Sequence, residues 1–118
     1  MKEDFEGCEV GRFERIDDGE FLELSELMGV LSNRTRLAIV ATALTHGEVC
    51  ACRLQQSLNM PQSTVTVHLQ KLYGARILNK REAWRYTYYS INKEYESLLK
   101  AILETVPSVA DSLSSGGK

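Results

Sequence analysis

The chain has 118 residues, of which 43% are hydrophobic and 25% charged, a composition typical of one globular domain. It has no apolar run near the roughly 20 residues of a membrane-spanning helix, and its acidic N-terminus is unlike a signal or transit peptide. We therefore expect a cytoplasmic protein whose three cysteines stay reduced, since an odd number cannot pair fully within one chain.

The formal net charge of −2 is unevenly distributed along the chain. Residues 1–30 include 3 basic and 10 acidic residues, residues 31–92 include 8 and 2, and residues 93–118 include 3 and 4. The three regions therefore have charges of −7, +6 and −1. A basic middle region is the electrostatic feature expected of a nucleic-acid-binding segment, whatever the charge of the whole chain.

The N-terminal part of the chain predicts an arm followed by two helices. Residues 1–19 are acidic and lack periodicity, so we expect a flexible arm that carries Cys8. Residues 20–31 have apolar side chains at helical spacing, which predicts a first amphipathic helix. Asn33 suits the N-cap of a second helix over residues 34–45.

Two short helical patterns follow between residues 48 and 72. They are separated by Asn59-Met60-Pro61, where Asn tolerates a left-handed backbone and Pro suits the start of a new helix. The second pattern has an inward stripe of Val65, Leu69 and Leu72. Two short helices joined by a tight turn predict a helix-turn-helix.

The outer face of the second of these helices is polar and has no acidic residue. Short donors and acceptors near the N-terminus of a recognition helix can read base edges in the major groove. The alternative is a helix-turn-helix used only for packing. The candidate DNA-binding residues of this helix are Gln62, Ser63, Thr64, Thr66, Val67, His68 and Lys71.

A β-hairpin is predicted after the helix-turn-helix, with strands over residues 77–81 and 85–91 that are rich in Tyr and Thr. Lys80, Arg81 and Arg85 cluster around its tip. A basic hairpin beside a recognition helix is a wing that can contact phosphates. The alternative for these three charges is a solvated turn.

The chain ends in a predicted helix that Asn92 caps and that Pro107 ends or kinks, followed by a flexible tail over residues 107–118. The predicted fold is mostly α with a small β-hairpin, a winged helix-turn-helix domain over residues 20–106. The first and last helices have more apolar surface than a small core needs. We therefore expect a homodimer through these two helices.

The sequence resembles the ArsR/SmtB family of winged-helix metalloregulators from about residue 24 to residue 91. The resemblance implies a dimeric repressor that leaves its operator DNA when a toxic metal or metalloid binds. Three positions depart from the family pattern: Arg53 replaces an acidic residue, Pro61 a common Ser, and Ala83 the usual glycine of the wing tip. The segments that carry the resemblance are Ser32-Asn33-Arg34-Thr35-Arg36-Leu37, Glu48-Val49-Cys50-Ala51-Cys52-Arg53-Leu54, Gln62-Ser63-Thr64-Val65-Thr66-Val67-His68-Leu69 and Trp84-Arg85-Tyr86-Thr87-Tyr88-Tyr89.

Cys50 and Cys52 are candidate metal ligands. Two residues so spaced in a regular helix point roughly 200° apart and cannot share an ion. They can share one if Cys50 lies in an extended segment and Cys52 in the first helical turn, where the helix N-terminus and Arg53 would favour thiolate. The alternative is a pair of small buried hydrophobes.

Cys8 is the natural third sulfur, because a flexible arm can reach its own subunit or the partner, and other members of the family place an N-terminal cysteine with the paired motif across the dimer. The alternative is an incidental thiol in the arm. Three thiolates suit trigonal As(III) or Sb(III), whereas zinc prefers four ligands, usually including His. Neither His46 nor His68 lies in the last helix, so the second metal site of zinc-sensing relatives is missing. Cd(II) or Pb(II), with water or a carboxylate as a fourth ligand, is the alternative inducer.

The leading hypothesis is a repressor that binds double-stranded operator DNA as a homodimer and is released by As(III) or Sb(III). A thiol redox sensor is a second hypothesis, although a disulfide between cysteines two residues apart is strained. A winged-helix protein-interaction module is a third. The sequence has no Ser/His/Asp set and no phosphate loop, so we do not expect an enzyme, an organic cofactor or a membrane partner.

Overall fold

The computed structural model describes residues 11–116, and residues 11–17 lie in exposed chain before the first helical turn, Asp18–Phe21. A second short 3-10 turn, Lys93–Tyr95, precedes the fifth α-helix. In chain order the helices and strands are α1 (Leu22–Leu31), α2 (Arg34–His46), β1 (Glu48–Val49), α3 (Ala51–Leu58), α4 (Gln62–Gly74), β2 (Leu78–Ala83), β3 (Tyr86–Ile91), α5 (Glu96–Leu103) and α6 (Pro107–Gly116).

The boundaries of α2 follow from local capping, as the sequence predicts. Asn33 is extended, and its Oδ1 accepts a hydrogen bond from the backbone N–H of Arg36 at 2.9 Å. This bond satisfies one of the free N–H groups of the first turn. At the other end Gly47 has a φ of 95°, and its N–H donates to the carbonyl of Ala43 at 2.8 Å.

The helix-turn-helix is confirmed as α3 followed by α4. Asn59 is left-handed (φ 56°, ψ 50°), and α4 begins directly after Pro61. The inward stripe of α4 has relative exposures of 0% at Val65, Leu69 and Leu72. Burial of this stripe fixes α4 against the core and leaves its other faces available.

The wing is a three-stranded antiparallel sheet in the order β1-β3-β2, where the sequence predicted only the hairpin of β2 and β3. The missed strand, β1, pairs Glu48 with Ser90 and Val49 with Tyr89. A two-residue strand has no periodicity, so nothing in the local sequence distinguishes it from a loop.

The turn of the wing consists of Trp84 and Arg85, because Ala83 still pairs with Tyr86 as the last residue of β2. Arg85 has a φ of 80° and therefore takes the left-handed position that a glycine would take without strain. A non-glycine residue there costs about 1–3 kcal/mol. The left-handed residue of the turn is thus Arg85, whereas Ala83, which was expected at the wing tip, is the last residue of β2.

The C-terminal part differs from the prediction. Asn92 caps the 3-10 turn, where its Oδ1 accepts from the N–H of Glu94 at 3.1 Å, but α5 ends at Leu103. Pro107 begins the further helix α6, so the predicted flexible tail over residues 107–118 is wrong for residues 107–116. Proline cannot continue a helix but fits its first position, because the N–H it lacks would be unpaired there anyway.

The core lies where α1, α2, α4 and α5 meet the sheet. Leu99 is 1% exposed and belongs to this core, although it lies on the helix predicted to form the dimer contact. Large apolar side chains on α1 and around α5 nevertheless remain exposed, namely Phe21, Leu22, Leu24, Met28, Leu98 and Val106. The surplus apolar surface predicted for the first and last helices is therefore present. On α5, however, this surface includes Leu98 and not Leu99.

Within residues 11–116, every helix is too short or too polar to cross a bilayer.

Candidate DNA interface and thiol site

The N-terminal turn of α4 presents the residues expected to read bases. Gln62, Ser63 and Thr64 are exposed, and Val67 is 50% exposed. No acidic residue occurs in α4, so nothing on this helix repels a phosphate backbone. The first turn therefore has the polar, accessible character that a recognition helix needs.

His68 has a partner within the protein that the sequence did not reveal. Its Nδ1 accepts a hydrogen bond from Nη1 of Arg36 at 3.2 Å, and Nε of Arg36 donates to the carbonyl of Val30 at 2.6 Å. Arg36 thus ties the end of α1 and the start of α2 to the recognition helix. Because His68 is half-buried and its Nδ1 is bonded to Arg36, only the other atoms of its ring can make the predicted contact with DNA.

The pKa of His68 is lowered by burial, by the positive charge of Arg36 and by that of Lys71. The neutral ring that accepts from Arg36 therefore carries its proton on Nε2. Lys71 itself is exposed and lies beside a cleft of about 450 Å³ between α1 and the end of α4. This cleft contains no thiol, so it is separate from the candidate sensor.

The three basic residues of the wing are exposed, and each also lies over an aromatic ring, Arg85 over that of Trp84 at 4.8 Å. The Nζ of Lys80 lies 4.6 Å from the centre of the Tyr73 ring. Arg81 donates from Nε and Nη2 to the two carboxylate oxygens of Glu48, at 3.0 and 2.9 Å, and its guanidinium lies 4.8 Å from the centre of the Tyr88 ring.

The pairing of Arg81 with Glu48 joins β2 to β1, two residues before Cys50. Hydrogen bonds from Arg81 lower the pKa of Glu48, and the same bonds raise the pKa of Arg81. Both side chains are partly exposed, so the pair contributes little to stability. Its importance is geometric, because it connects the segment before the thiols to the wing.

Cys50 and Cys52 have the backbone geometry that the sequence required of a shared site. Cys50 is extended (φ −134°, ψ 157°) as the residue before α3, and Cys52 lies in the first turn of that helix. Cys50 is 5% exposed and Cys52 is half-buried. The two cysteines are therefore not two positions of one regular helix, the arrangement that would point their side chains to opposite sides.

The expected stabilisation of thiolate is wrong for Cys52. A hydrogen bond with the Cys50 thiol, then burial, raise the pKa of Cys52, and the backbone N–H groups of Arg53 and Cys52 lower it by less. Arg53 acts here through its backbone, since its side chain is exposed. The neighbouring Cys50 thiol and burial thus outweigh the effect of the N-terminal end of the helix on Cys52.

Two cavities reach the cysteine pair. The inner cavity, of about 340 Å³, lies between the thiols, the recognition helix and the wing, and Gln62, Thr66, Arg85 and Thr87 contribute to its walls. The outer cavity, of about 510 Å³, is lined by Glu48, Cys50, Cys52, Arg53, Tyr86 and Tyr88. The thiols thus lie between the first turn of α4 and the base of the wing.

A complete metal-ligand set is not assembled within residues 11–116. No group of three or more His, Cys, Asp or Glu side chains in that range is placed to hold an ion. Cys8, the predicted third ligand, lies outside the described residues. Its role therefore stays a prediction.

Comparisons with known proteins agree with this architecture. Residues 33–80 match the family described as bacterial regulatory protein, arsR family. The chain is 33% identical over 79 residues to the transcriptional repressor PagR of Bacillus anthracis, and the aligned region covers 66% of this chain and 79% of PagR. It is 29% identical over 86 residues to the arsenical resistance operon repressor of Staphylococcus xylosus, and this aligned region covers 73% of this chain and 82% of that protein. The crystal structure of the AntR antimony-specific transcriptional repressor has the same fold, with a TM-score of 0.68 and 24% sequence identity. The superposition covers 89% of this chain and 99% of the AntR chain.

The contact between Arg36 and His68 predicts a pH dependence of stability. The unfolded chain takes up a proton on His68 near the ordinary pKa of 6.5, whereas the folded chain resists it, so the free energy of unfolding should fall as the pH drops through 6.5. His68→Gln keeps an acceptor for Arg36 without a titrating ring and should reduce this dependence. Urea unfolding of both proteins between pH 5 and pH 8 measures it, and equal slopes would contradict the assignment.

Proposed function

Since the chain belongs to the arsR family of bacterial regulatory proteins and is a transcriptional repressor of that family, we propose that it binds operator DNA as a homodimer and is released by As(III) or Sb(III). The observation that carries the proposal is the position of Cys50 and Cys52. The pair lies at the start of α3 and borders the same cavity as the first turn of the recognition helix. The family relatives are transcriptional regulators, which confirms that the chain is not an enzyme.

DNA is the partner that the chemistry of α4 and the wing supports. Exposed amide and hydroxyl groups at the start of α4 suit base edges, and the wing adds basic residues beside them. Two copies related by a two-fold axis would place two recognition helices in successive major grooves. A bacterial regulator that meets operator DNA in this way works in the cytoplasm.

A trigonal ion is the inducer that the ligand set supports. Cys50 and Cys52 supply two sulfurs, and Cys8 would supply the third. Cd(II) or Pb(II) would use a further oxygen ligand, and Glu48 is the carboxylate that shares the outer cavity. Its two oxygens already accept from Arg81, which favours As(III) or Sb(III). The names of the S. xylosus and AntR proteins point to the same inducers.

Release from DNA would begin at the junction of β1 and α3. Gathering both sulfurs on one ion distorts the first turn of α3, which supports α4, and pulls on β1, which pairs with the wing. Both DNA-contacting elements would then leave their positions. The ion must bind the free protein more tightly than the DNA complex, because only differential affinity shifts an equilibrium.

The DNA part of the proposal predicts two classes of variant. Gln62→Ala and Thr64→Ala should weaken binding to a specific duplex by about 1–3 kcal/mol per lost base contact, with less effect on random DNA. Lys80→Ala should weaken binding to every duplex and reduce the salt dependence by about one charge. Fluorescence anisotropy at several salt concentrations distinguishes the two classes. Ser97→Ala, an exposed change on α5, is the control, and binding that is insensitive to sequence and salt would contradict the prediction.

The homodimer is predicted to use the exposed apolar residues of α1 and α5. Leu24→Glu and Leu98→Glu should give monomers at concentrations where the parent is a dimer, because a carboxylate at an apolar interface loses its hydration. Val67→Glu introduces the same charge at an exposed residue of α4 and should remain dimeric. Sedimentation equilibrium without DNA measures this, and a parent that stays monomeric at high concentration would overturn the proposed assembly.

The switch predicts that sensing and DNA binding can be separated. The Cys50→Ser, Cys52→Ser double variant should bind DNA like the parent but should not be released by arsenite. Cys8→Ser should be released less readily than the parent, since two thiolates hold the ion less well than three. The coupling should amount to roughly 1–3 kcal/mol per site, and operator DNA should weaken arsenite binding by the same factor.

A matched set of inducers completes this experiment. Arsenite, antimonite, cadmium and lead are titrated into anaerobic protein–DNA complex, and hydrogen peroxide serves as the redox arm. Release by arsenite in the double variant would place the sensor elsewhere. Release of the parent by peroxide alone would favour the redox alternative.

A further inference from the structure

One pair of side chains spans the whole width of the wing sheet. Arg81 of β2 donates from Nε and Nη2 to the two carboxylate oxygens of Glu48 of β1, at 3.0 and 2.9 Å. The strand order β1-β3-β2 places β3 between them, so β1 and β2 share no backbone ladder. The pair is therefore a direct link between the strand that leads to the cysteines and the far strand of the wing.

The two side chains meet on one face of the sheet. Glu48 lies opposite Ser90 in the register, and Arg81 lies opposite Tyr88. Because Tyr88 and Ser90 are two positions apart in β3, their side chains and those opposite them project to the same face. The Arg81 guanidinium passes over the Tyr88 ring, 4.8 Å from its centre, before it reaches the carboxylate. This stacking fixes the guanidinium to the hairpin of β2 and β3.

The backbone attachment of β1 is short compared with that of the hairpin. β1 pairs with β3 only at Glu48 and Val49, whereas all of β2, Leu78–Ala83, pairs with β3. The hairpin is therefore the rigid unit of the sheet, and β1 is the strand that can shift against it. The bonds from Arg81 give β1 a second attachment to the hairpin at the same place.

The thiol site acts on this attachment directly. Cys50 follows Val49 in the chain, and Glu48 lines the outer cavity together with Cys50 and Cys52. A displacement of Cys50 therefore reaches β1 within two residues. Hydrogen bonds of 2.9 and 3.0 Å are lost by about 3.6 Å, so β1 cannot move far unless the hairpin follows it or the pair breaks.

We propose that the Glu48–Arg81 pair is the tether that transmits inducer binding from the cysteines to the wing, with both residues as positioning residues. This inference rests on the proposed release from operator DNA by As(III) or Sb(III). The tether stays intact in the free protein, in the DNA complex and in the inducer-bound protein, where the hairpin follows β1. It must break only when DNA holds the hairpin while the inducer holds β1. The free energy of the pair therefore opposes simultaneous binding of DNA and inducer.

The strength of the pair limits how much of the coupling it transmits. The side chains of Arg81 and Glu48 are 58% and 40% exposed, and an exposed pair with good two-bond geometry changes an equilibrium constant by about two- to fivefold. Coupling between two sites of a protein is typically about 5- to 150-fold. The tether therefore carries a part of the release, and the contact between α3 and α4 carries the rest.

The first test measures the release ratio, the Kd for DNA with saturating arsenite divided by the Kd without it. The probe is a duplex selected from random DNA with the intact protein, and binding is followed anaerobically by fluorescence anisotropy. Glu48→Gln should bind arsenite like the parent in the absence of DNA, as measured by calorimetry, because the tether is intact in both of those states. Its release ratio should nevertheless be about two- to fivefold smaller than that of the parent.

Matched variants distinguish a tether from a change of charge. Glu82→Gln removes the same charge from an exposed carboxylate of β2, but its ion pair with Lys80, at 4.0 Å, lies within that one strand. Its release ratio should equal that of the parent. Arg81→Gln should lower the ratio by the same factor as Glu48→Gln, and the double variant should lower it no further, because either change alone removes the whole tether.

The second test follows the movement itself, in the absence of DNA. Amide hydrogen exchange is measured by mass spectrometry before and after arsenite is added. In the parent, exchange should change about twofold or more both in residues 48–52 and in the hairpin, residues 78–91. In Glu48→Gln the change should be confined to residues 48–52 and the rest of α3. Unchanged exchange in α2 of the arsenite-free variant shows that its fold is intact.

The outcomes separate this inference from the proposed function. If Glu48→Gln has the release ratio of the parent, or if Glu82→Gln lowers the ratio as much, release by arsenite stands and the tether is wrong. If the effects of Glu48→Gln and Arg81→Gln add in the double variant, the two residues act independently and the tether is again wrong. If arsenite does not weaken DNA binding by the parent, the proposed function and this inference fail together.

Discussion

The pairing of β1 with β3 is the constraint on which the candidate sensor depends. Two residues, Glu48 and Val49, form this strand, and their hydrogen bonds to the wing hold the chain extended as it reaches Cys50. Without that extended segment α3 could begin earlier, and both cysteines would then lie in one helix, too far apart in direction to share an ion. The shortest strand of the fold thus determines whether the thiols can act together.

The same junction would let the proposed thiol site influence the proposed DNA interface. Cys50 continues from a strand of the wing sheet, Cys52 belongs to the helix that supports α4, and Arg81 ties Glu48 to β2. Movement of either sulfur is therefore passed to rigid elements and not to loops. Arg36 adds a second connection, because it fixes His68 of α4 to the end of α1 and the start of α2. The recognition helix is thereby positioned from two sides.

Features determined by neighbouring residues were predictable from the sequence. Asn33 and Asn59 mark helix boundaries through local geometry, and the stripe of Val65, Leu69 and Leu72 fixes the inner face of α4. Contacts between distant residues were not predictable, because no local pattern encodes them. The bond between Glu48 and Arg81 joins residues 33 positions apart, and the bond between Arg36 and His68 joins residues 32 apart.

The C-terminal region shows a different limit of sequence reasoning. Pro107 is compatible both with the end of a helix and with the start of the next one, and only packing decides between them. Likewise the apolar residues of α5 do not themselves reveal which of them face the core, so Leu98 and Leu99 could be told apart only by their burial. A broad apolar stripe predicts that one face of a helix is buried, but it does not identify the surface against which that face packs.

The environment of the thiols is consistent with a neutral metalloid as the proposed inducer. Arsenous acid, As(OH)₃, condenses with two thiols to form two As–S bonds and release two water molecules, so the thiol protons leave as water. A divalent cation must instead displace those protons into solution, which is harder when the neighbouring thiol raises the pKa of Cys52. Arg81 acts in the same direction by occupying both oxygens of Glu48, the carboxylate of the outer cavity. Proton release and the engagement of Glu48 by Arg81 are thus the two features of the site that support the proposal of As(III) or Sb(III).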